Sequence, residues 1–338
     1  MNGYQRIMAA LHGRQPDAVP VMLHNFMPAA REAGYSMRAY RTSAAAIAKT
    51  FIQAVETYEY DGIVVDVDTA TLAEAVGVPV DFPEDEPARC RTGCLRDPRE
   101  VSELPPPNIA SHPRVQIWME AVRNLRVYFG DEILVRGNAD QAPFSLASMM
   151  RTPASWMMDL LDERNRTWVS RLLEYCTEAT CQFVRLMAEA GAHVTSNGDS
   201  PAGPAMISPE MYRTFALPYE QRVAAAAHDR GLPYILHVCG DTEPILADLL
   251  RSGADGLELD YKTDARVARR TLAERATFIG NIDPSGVLAR GSVAEVERTT
   301  RELLRLFADT PRFILNAGCA LPATTPSENV QAMIQAAR

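Results

Sequence analysis

The feature that most constrains this chain is a regular alternation of short, β-branched apolar runs with longer stretches of helical periodicity. Eight short runs stand out: Val19 to Leu23, Gly62 to Val67, Glu132 to Gly137, Ala192 to Asn197, Tyr234 to Val238, Gly256 to Leu259, Thr277 to Gly280 and Arg312 to Asn316. Helical patterns fill the intervals, among them Ser43 to Tyr58, Pro153 to Ala190, Pro209 to Arg230, Glu243 to Ser252 and Val293 to Ala308. Strand and helix in strict alternation predict a parallel sheet wrapped by helices. Eight such units predict an α/β protein of the closed (β/α)8, or TIM barrel, type, and 338 residues suit that barrel as one domain over 1–338. Two additions are expected. The segment MNGYQRIMAALHGRQPDAVP reads as an N-terminal helical extension ending near Gly13, and the long connection from Asp68 to Pro107 reads as an insertion after strand 2, folded over the barrel mouth.

In such barrels the chemistry sits at the C-terminal ends of the strands, so the polar residues there are the candidates. Strand 2 ends in Asp66 and Asp68, strand 3 in Arg136 and Asn138, and strand 4 in Asn197 and Asp199. Strand 5 ends in His237 and Cys239, strand 6 in Glu258 and Asp260, strand 7 in Asn281 and Asp283, and strand 8 in Asn316 and Cys319. Asp260 and Asn316 read better as caps or loop residues. We expect Asp68 and Asp199 to be catalytic carboxylates, and Asn138, Asn197, Asn281 and Asp283 to bind substrate.

The sharpest signal is His237-Val238-Cys239 followed by a single distant Cys319, each at a strand end beside glycine. Alternate residues of a strand face the same side, so His237 and Cys239 share a face. With six His and six Cys in the chain, an H-x-C pair arises by chance roughly 0.1 times. An imidazole and two thiolates make a zinc set that leaves a fourth position for a carboxylate, water or substrate, as catalytic zinc sites do. Glu258, at the next strand end, is the candidate fourth ligand.

Composition narrows the partners. The net charge of −9 argues against a general nucleic-acid binder. No run reaches the ~20 apolar residues of a membrane helix, and no h-region of a signal peptide is seen, so a cytoplasmic setting with free thiols is expected. Cys90 and Cys94, in RCRTGC, lack a second pair and read as ordinary thiols. Nucleotide-binding, serine-hydrolase and H-E-x-x-H motifs are absent.

Several segments resemble the uroporphyrinogen decarboxylase superfamily: MNGYQRIMAALHGRQPDAVPVM, DVDTATLAEAVG, NGDSPAGPAMISPEMYRTFALPYEQRV, GNIDPSGVLARGSVAEV and NAGCALPATTPSENV. That superfamily is a (β/α)8 barrel with two branches, metal-free porphyrinogen decarboxylases and zinc methyltransferases that work with corrinoid proteins. The arginine-rich P-V-W-x-M-R-Q-A-G-R loop of the decarboxylases is replaced here by PVMLHNFMPAAREAGY, and their C-terminal Gly-His pair by Gly318-Cys319. With His237 and Cys239, these changes resemble the methylcobamide:coenzyme M methyltransferases. Asp68 matches the catalytic aspartate of the decarboxylases, which keeps that activity as an alternative.

The resemblance implies zinc as cofactor, with a corrinoid as the methyl carrier. No D-x-H-x-x-G corrinoid-binding signature occurs, so the corrinoid is expected on a carrier protein docked over the mouth. The small-molecule donor or acceptor is expected to be a thiol, a tetrahydrofolate, or a methoxylated or methylated compound, in a direction the sequence does not fix. A non-catalytic barrel that binds zinc or a tetrapyrrole is the remaining reading.

Overall fold

A computed structural model describes residues 1–338. Eight parallel strands form one sheet in sequence order: β1 Met22–Leu23, β2 Gly62–Val65, β3 Leu134–Gln141, β4 Val194–Gly198, β5 Tyr234–Val238, β6 Gly256–Leu259, β7 Thr277–Ile282 and β8 Phe313–Ala317. A parallel bridge between Val21 and Leu315 joins the last strand to the first, which closes the (β/α)8 barrel. Helices such as Ala44–Tyr58, Pro113–Phe129, Arg166–Glu189, Leu217–His228 and Val293–Leu306 surround it. No helix is long and apolar enough to cross a membrane.

The inside of the barrel is built in storeys, because period-2 alternation sends every second side chain inward. The lowest storey is apolar: Met22, Val64, Leu134, Val194, Ile235, Ile279 and Ile314 pack with Ile7, Ala10 and Leu11 of the N-terminal helix Gly3–Leu11. Strand β6 contributes Gly256 to this ring. A Cβ there would stand 2.9 Å from Ile279 Cδ1 and 3.3 Å from Leu11 Cδ2, so glycine is what lets the plug helix seat.

One storey higher, two residues along every strand but β7, the lining turns polar. Here stand His24, Asp66, Arg136, Ser196, His237, Glu258 and Asn316, all partly or fully buried. The insertion after β2 holds a small antiparallel hairpin, Val80–Asp81 paired with Arg89–Cys90, whose Pro87 and Ala88 wall the space above. Arg41, 1% exposed, fixes this hairpin by donating Nη1 to the Pro83 carbonyl at 3.0 Å and Nη2 to that of Glu86 at 2.5 Å.

Candidate metal centre

The polar storey opens upward into a cavity of about 270 Å³ at the C-terminal ends of the strands. His237, at the end of β5, and Cys239, just past it, share their inward face with Ile235. Cys319 arrives from the turn after β8. That turn runs against the loop after β6: a Cβ on Gly318 would stand 2.5 Å from the Tyr261 backbone nitrogen, so only glycine brings Cys319 this close.

The imidazole and the two sulfurs offer ligand atoms that all lie within 4.8 Å of one another. His237 Nε2 is 3.0 Å from Cys239 Sγ, and the two sulfurs are 3.7 Å apart. Two thiolates bound tetrahedrally at ~2.3 Å to one zinc ion would be separated by about 3.8 Å, so the sulfur spacing fits the metal. His237 Nδ1 stands 3.0 Å from the Glu258 carbonyl, to which it donates as the tautomer with Nε2 free for a metal requires.

The electrostatics suit a metal-binding set. Cys239 is pushed down to about 3, first by the Cys319 thiol donating to its sulfur and then by His237. The two thiols thus hold one proton between them, on Cys319, whose pKa is raised by the neighbouring thiolate. Burial works against charging His237, but the Cys239 thiolate lifts it to about 9.

Glu258 does not join this cluster. Its buried carboxylate pairs with Arg136, the two side chains 1% and 3% exposed, and its Oε1 stands 3.6 Å from His237 Nδ1, the edge of the ring turned away from the sulfurs. Burial opposes its ionisation, yet Arg136 and then His24 hold it well below the usual carboxylate range. In this structure Glu258 is a counter-charge to Arg136 under the triad and lies outside the group formed by His237, Cys239 and Cys319, where it was expected as fourth ligand.

Of the other expected site residues, Asp68, Asn138 and Asn197 line the cavity. Asp68 also accepts from the backbone nitrogens of Ala70 and Thr71, both at 2.8 Å, so part of its capacity caps the helix Thr71–Ala75. Three expected residues do not reach the cavity. Asp199 is fully buried behind it, where its Oδ1 accepts from Ser145 N and Oγ at 2.8 and 2.7 Å. Asn281 donates to the carbonyls of Asp260 and Thr263 at 3.1 and 2.9 Å, tying down the loop after β6. Asp283 accepts from the nitrogens of Ser285 and Gly286 and caps the turn Pro284–Leu288. Loop and capping needs took these residues, the same needs met by Asp260 and Asn316.

The cavity also contains residues that were not singled out as site candidates: His24, Arg41, Asp140, Ser200, and the strand-end pair Asp66 and Arg136. His24 Nε2 contacts Asp66 Oδ2 at 2.7 Å, and against the cost of burial Asp66 and Glu258 lift its pKa to about 8. Its signal was available in the sequence, since it lies two residues beyond Met22 on the inward face of β1.

A family model described as uroporphyrinogen decarboxylase (URO-D) matches residues 2–338. The chain is 31% identical over 225 residues to a methylcobamide:CoM methyltransferase, MtbA, of Methanosarcina mazei; the match covers 67% of this chain and 64% of that relative, less than two thirds of its length. To the methylcobamide:CoM methyltransferase MtaA of Methanosarcina barkeri it is 25% identical over 335 residues, 98% of this chain and 96% of the other. Proteins named uroporphyrinogen decarboxylase match as well. A solved structure described as a methyltransferase from Methanosarcina mazei superposes with a TM-score of 0.91 at 24% identity, covering 99% of this chain and 98% of that one, a likeness of fold.

Proposed function

Because the chain belongs to the uroporphyrinogen decarboxylase family, we propose that it acts in the family's methyltransferase branch, as a zinc-dependent enzyme moving a methyl group between a corrinoid carried by a partner protein and a small molecule. The observation that carries this reading is the convergence of His237, Cys239 and Cys319 on one point at the floor of the cavity. Bound there, zinc would hold a substrate thiol as thiolate at neutral pH, or polarise the heteroatom of a methyl donor.

The chain's own residues do the rest. The Glu258 carbonyl orients the imidazole, and the Arg136–Glu258 pair fixes a buried charge beneath it. Phe26, Met27, Pro87 and Ala88 supply apolar wall, which limits water at the reacting atoms. The corrinoid approaches from above, since the plug helix closes the floor.

Decarboxylation is the second reading, favoured by Asp68 in the cavity wall. Against it stands the supply of cations. The lining holds two guanidiniums, Arg41 and Arg136, both engaged by protein groups, where a polycarboxylate tetrapyrrole needs several free ones. A cavity of about 270 Å³ is also small beside the roughly 300–1,000 Å³ usual for drug-sized ligands.

Metal analysis of the purified protein should find about one zinc per chain. Cys239→Ala and Cys319→Ala should remove it while circular dichroism stays that of the folded barrel. The loaded protein should demethylate methylcobalamin in the presence of a suitable acceptor, followed at the cobalt absorbance. Full zinc occupancy in the double variant would falsify the metal assignment. Absence of transfer with every thiol, folate, methoxyarene and methylamine tried would return the choice to decarboxylation.

A further inference from the structure

The loop after β4 brings one further side chain to the metal-binding corner, Ser200, which lines the cavity together with Cys239 and Cys319. Three contacts hold this loop against the end of β5 and the helix beside it. Asp199 N donates to the His237 carbonyl at 2.8 Å, and Asp199 Oδ1 is latched by Ser145 N and Oγ. Gly203 follows the short turn Ser200–Ala202. A Cβ there would stand 3.1 Å from the Cys239 carbonyl oxygen, so the loop backbone packs directly on the residue that carries the sulfur.

Ser200 Oγ accepts from the Cys239 backbone nitrogen at 3.4 Å. A hydroxyl that accepts still has its own hydrogen to give. Here it goes to the Cys239 sulfur, whose negative charge is supported first by the Cys319 thiol, then by His237, and then by this hydroxyl.

The first two supports change when a metal is bound, because Cys319 gives up its proton and His237 presents the Nε2 lone pair to the ion. Of these three side chains, Ser200 is then the one still donating to a ligand sulfur. Cys319 is served instead by a main-chain group, the Ala320 N–H, which no side-chain substitution removes.

We propose that Ser200 is a positioning residue of the metal centre: by donating to the Cys239 thiolate it draws charge off that sulfur and leaves the bound metal more electrophilic towards the substrate thiol. The substrate S–H bond then breaks more readily, the electron pair staying on sulfur and the proton leaving to solvent through the open mouth. This rests on the thiol form of the methyltransferase reading and assigns part of its tuning to one side chain.

The test is absorbance spectroscopy of the full chain loaded with cobalt(II) in place of zinc, recorded before any thiol is added. The thiolate-to-cobalt charge-transfer band of Ser200→Ala should lie at longer wavelength than that of the unmodified protein, because a sulfur without its hydrogen bond gives up an electron more easily. Ser200→Thr retains the hydroxyl and should leave the band in place. At saturating zinc and neutral pH, Ser200→Ala should also bind 2-mercaptoethanol roughly two- to tenfold more weakly by calorimetry, the span of one hydrogen bond's net contribution. A band unmoved in Ser200→Ala, or moved as far in Ser200→Thr, overturns this inference alone. Failure of the unmodified chain to bind cobalt or zinc overturns the metal centre and the inference with it. Should Ser200→Ala fail to fold, Ser200→Val set against Ser200→Thr decides, since those two share a shape and differ in the hydroxyl.

Discussion

Asp199 and Glu220 show what two carboxyls cost when each is buried against the other. Both are 0% exposed. Asp199 Oδ2 and Glu220 Oε1 lack any partner unless one proton lies between them, while Tyr212 donates to the other oxygen of Glu220. Burial pushes Asp199 up to about 6, and burial together with Asp199 raises Glu220 well above its usual value. A carboxyl with a raised folded-state pKa binds its proton more tightly folded than unfolded. It is harmless below about pH 4 and destabilises increasingly as pH climbs from its unfolded value towards the folded one. Glu220→Gln, which retains an oxygen for the Tyr212 hydroxyl, should therefore raise stability at pH 8 relative to pH 4 when both proteins are unfolded in urea; an unchanged pH slope would count against the shared proton. The pair also explains why Asp199 was misplaced from sequence. Val194 packs on the barrel floor and Ser196 meets Arg136, so inward parity on β4 falls on even numbers and Asp199 faces out. A strand end is legible from composition, but parity is legible only once one inward residue is known. The same argument recovers His24 from Met22 and Asp66 from Val64.

At the scale of elements, β5 and β6 begin and end where their apolar runs do, because glycine or a polar loop residue bounds each. Helices were less legible. The expected run from Pro153 to Ala190 is broken at Asp162, whose side chain accepts from Arg164 N and starts a short 3-10 turn before the helix Arg166–Glu189. The run from Pro209 to Arg230 breaks before Pro218, which lacks the N–H needed to continue a helix and restricts the residue ahead of it. Neither break changes apolar periodicity, so neither was visible in it. The N-terminal helix Gly3–Leu11 was expected, but its role as the barrel's floor follows only from closure. Ile7 is fully buried in that floor, among side chains from most of the strands. Ile7→Ala should cost about 2–5 kcal/mol of unfolding free energy, the range for large-to-small changes in a packed core. A loss below about 1 kcal/mol by urea denaturation would mean that the helix is only loosely seated.

For the whole molecule, a sealed floor and an open rim leave one direction of approach to the sulfurs. A carrier protein that presents its corrinoid already aligned with the mouth should therefore outperform the free cofactor. Methyl transfer at equal corrinoid concentration should be faster by at least about tenfold with a methylated carrier than with methylcobalamin, through orientation alone. Equal rates in a stopped-flow comparison would mean that the mouth takes up free corrinoid unaided. The eight-fold alternation made the barrel legible, and the H-x-C pair with the distant cysteine pointed to the corner where His237, Cys239 and Cys319 meet. The acidic side of the cavity was harder to see because residues from the first three strand ends meet there through closure. The hairpin wall adds one more consequence. Arg41 grips the main-chain carbonyls of Pro83 and Glu86, whatever side chains stand there, while Ser36 and Arg38 hold Glu84 and Arg114 stacks on Phe82, so the anchors of the hairpin stand apart from Pro87 and Ala88, which face the chamber. The roof of the chamber is in effect an interchangeable part: a lineage could redraw the shape of what it admits by rewriting Pro87 and Ala88, without disturbing the hairpin's anchors or the sulfurs below.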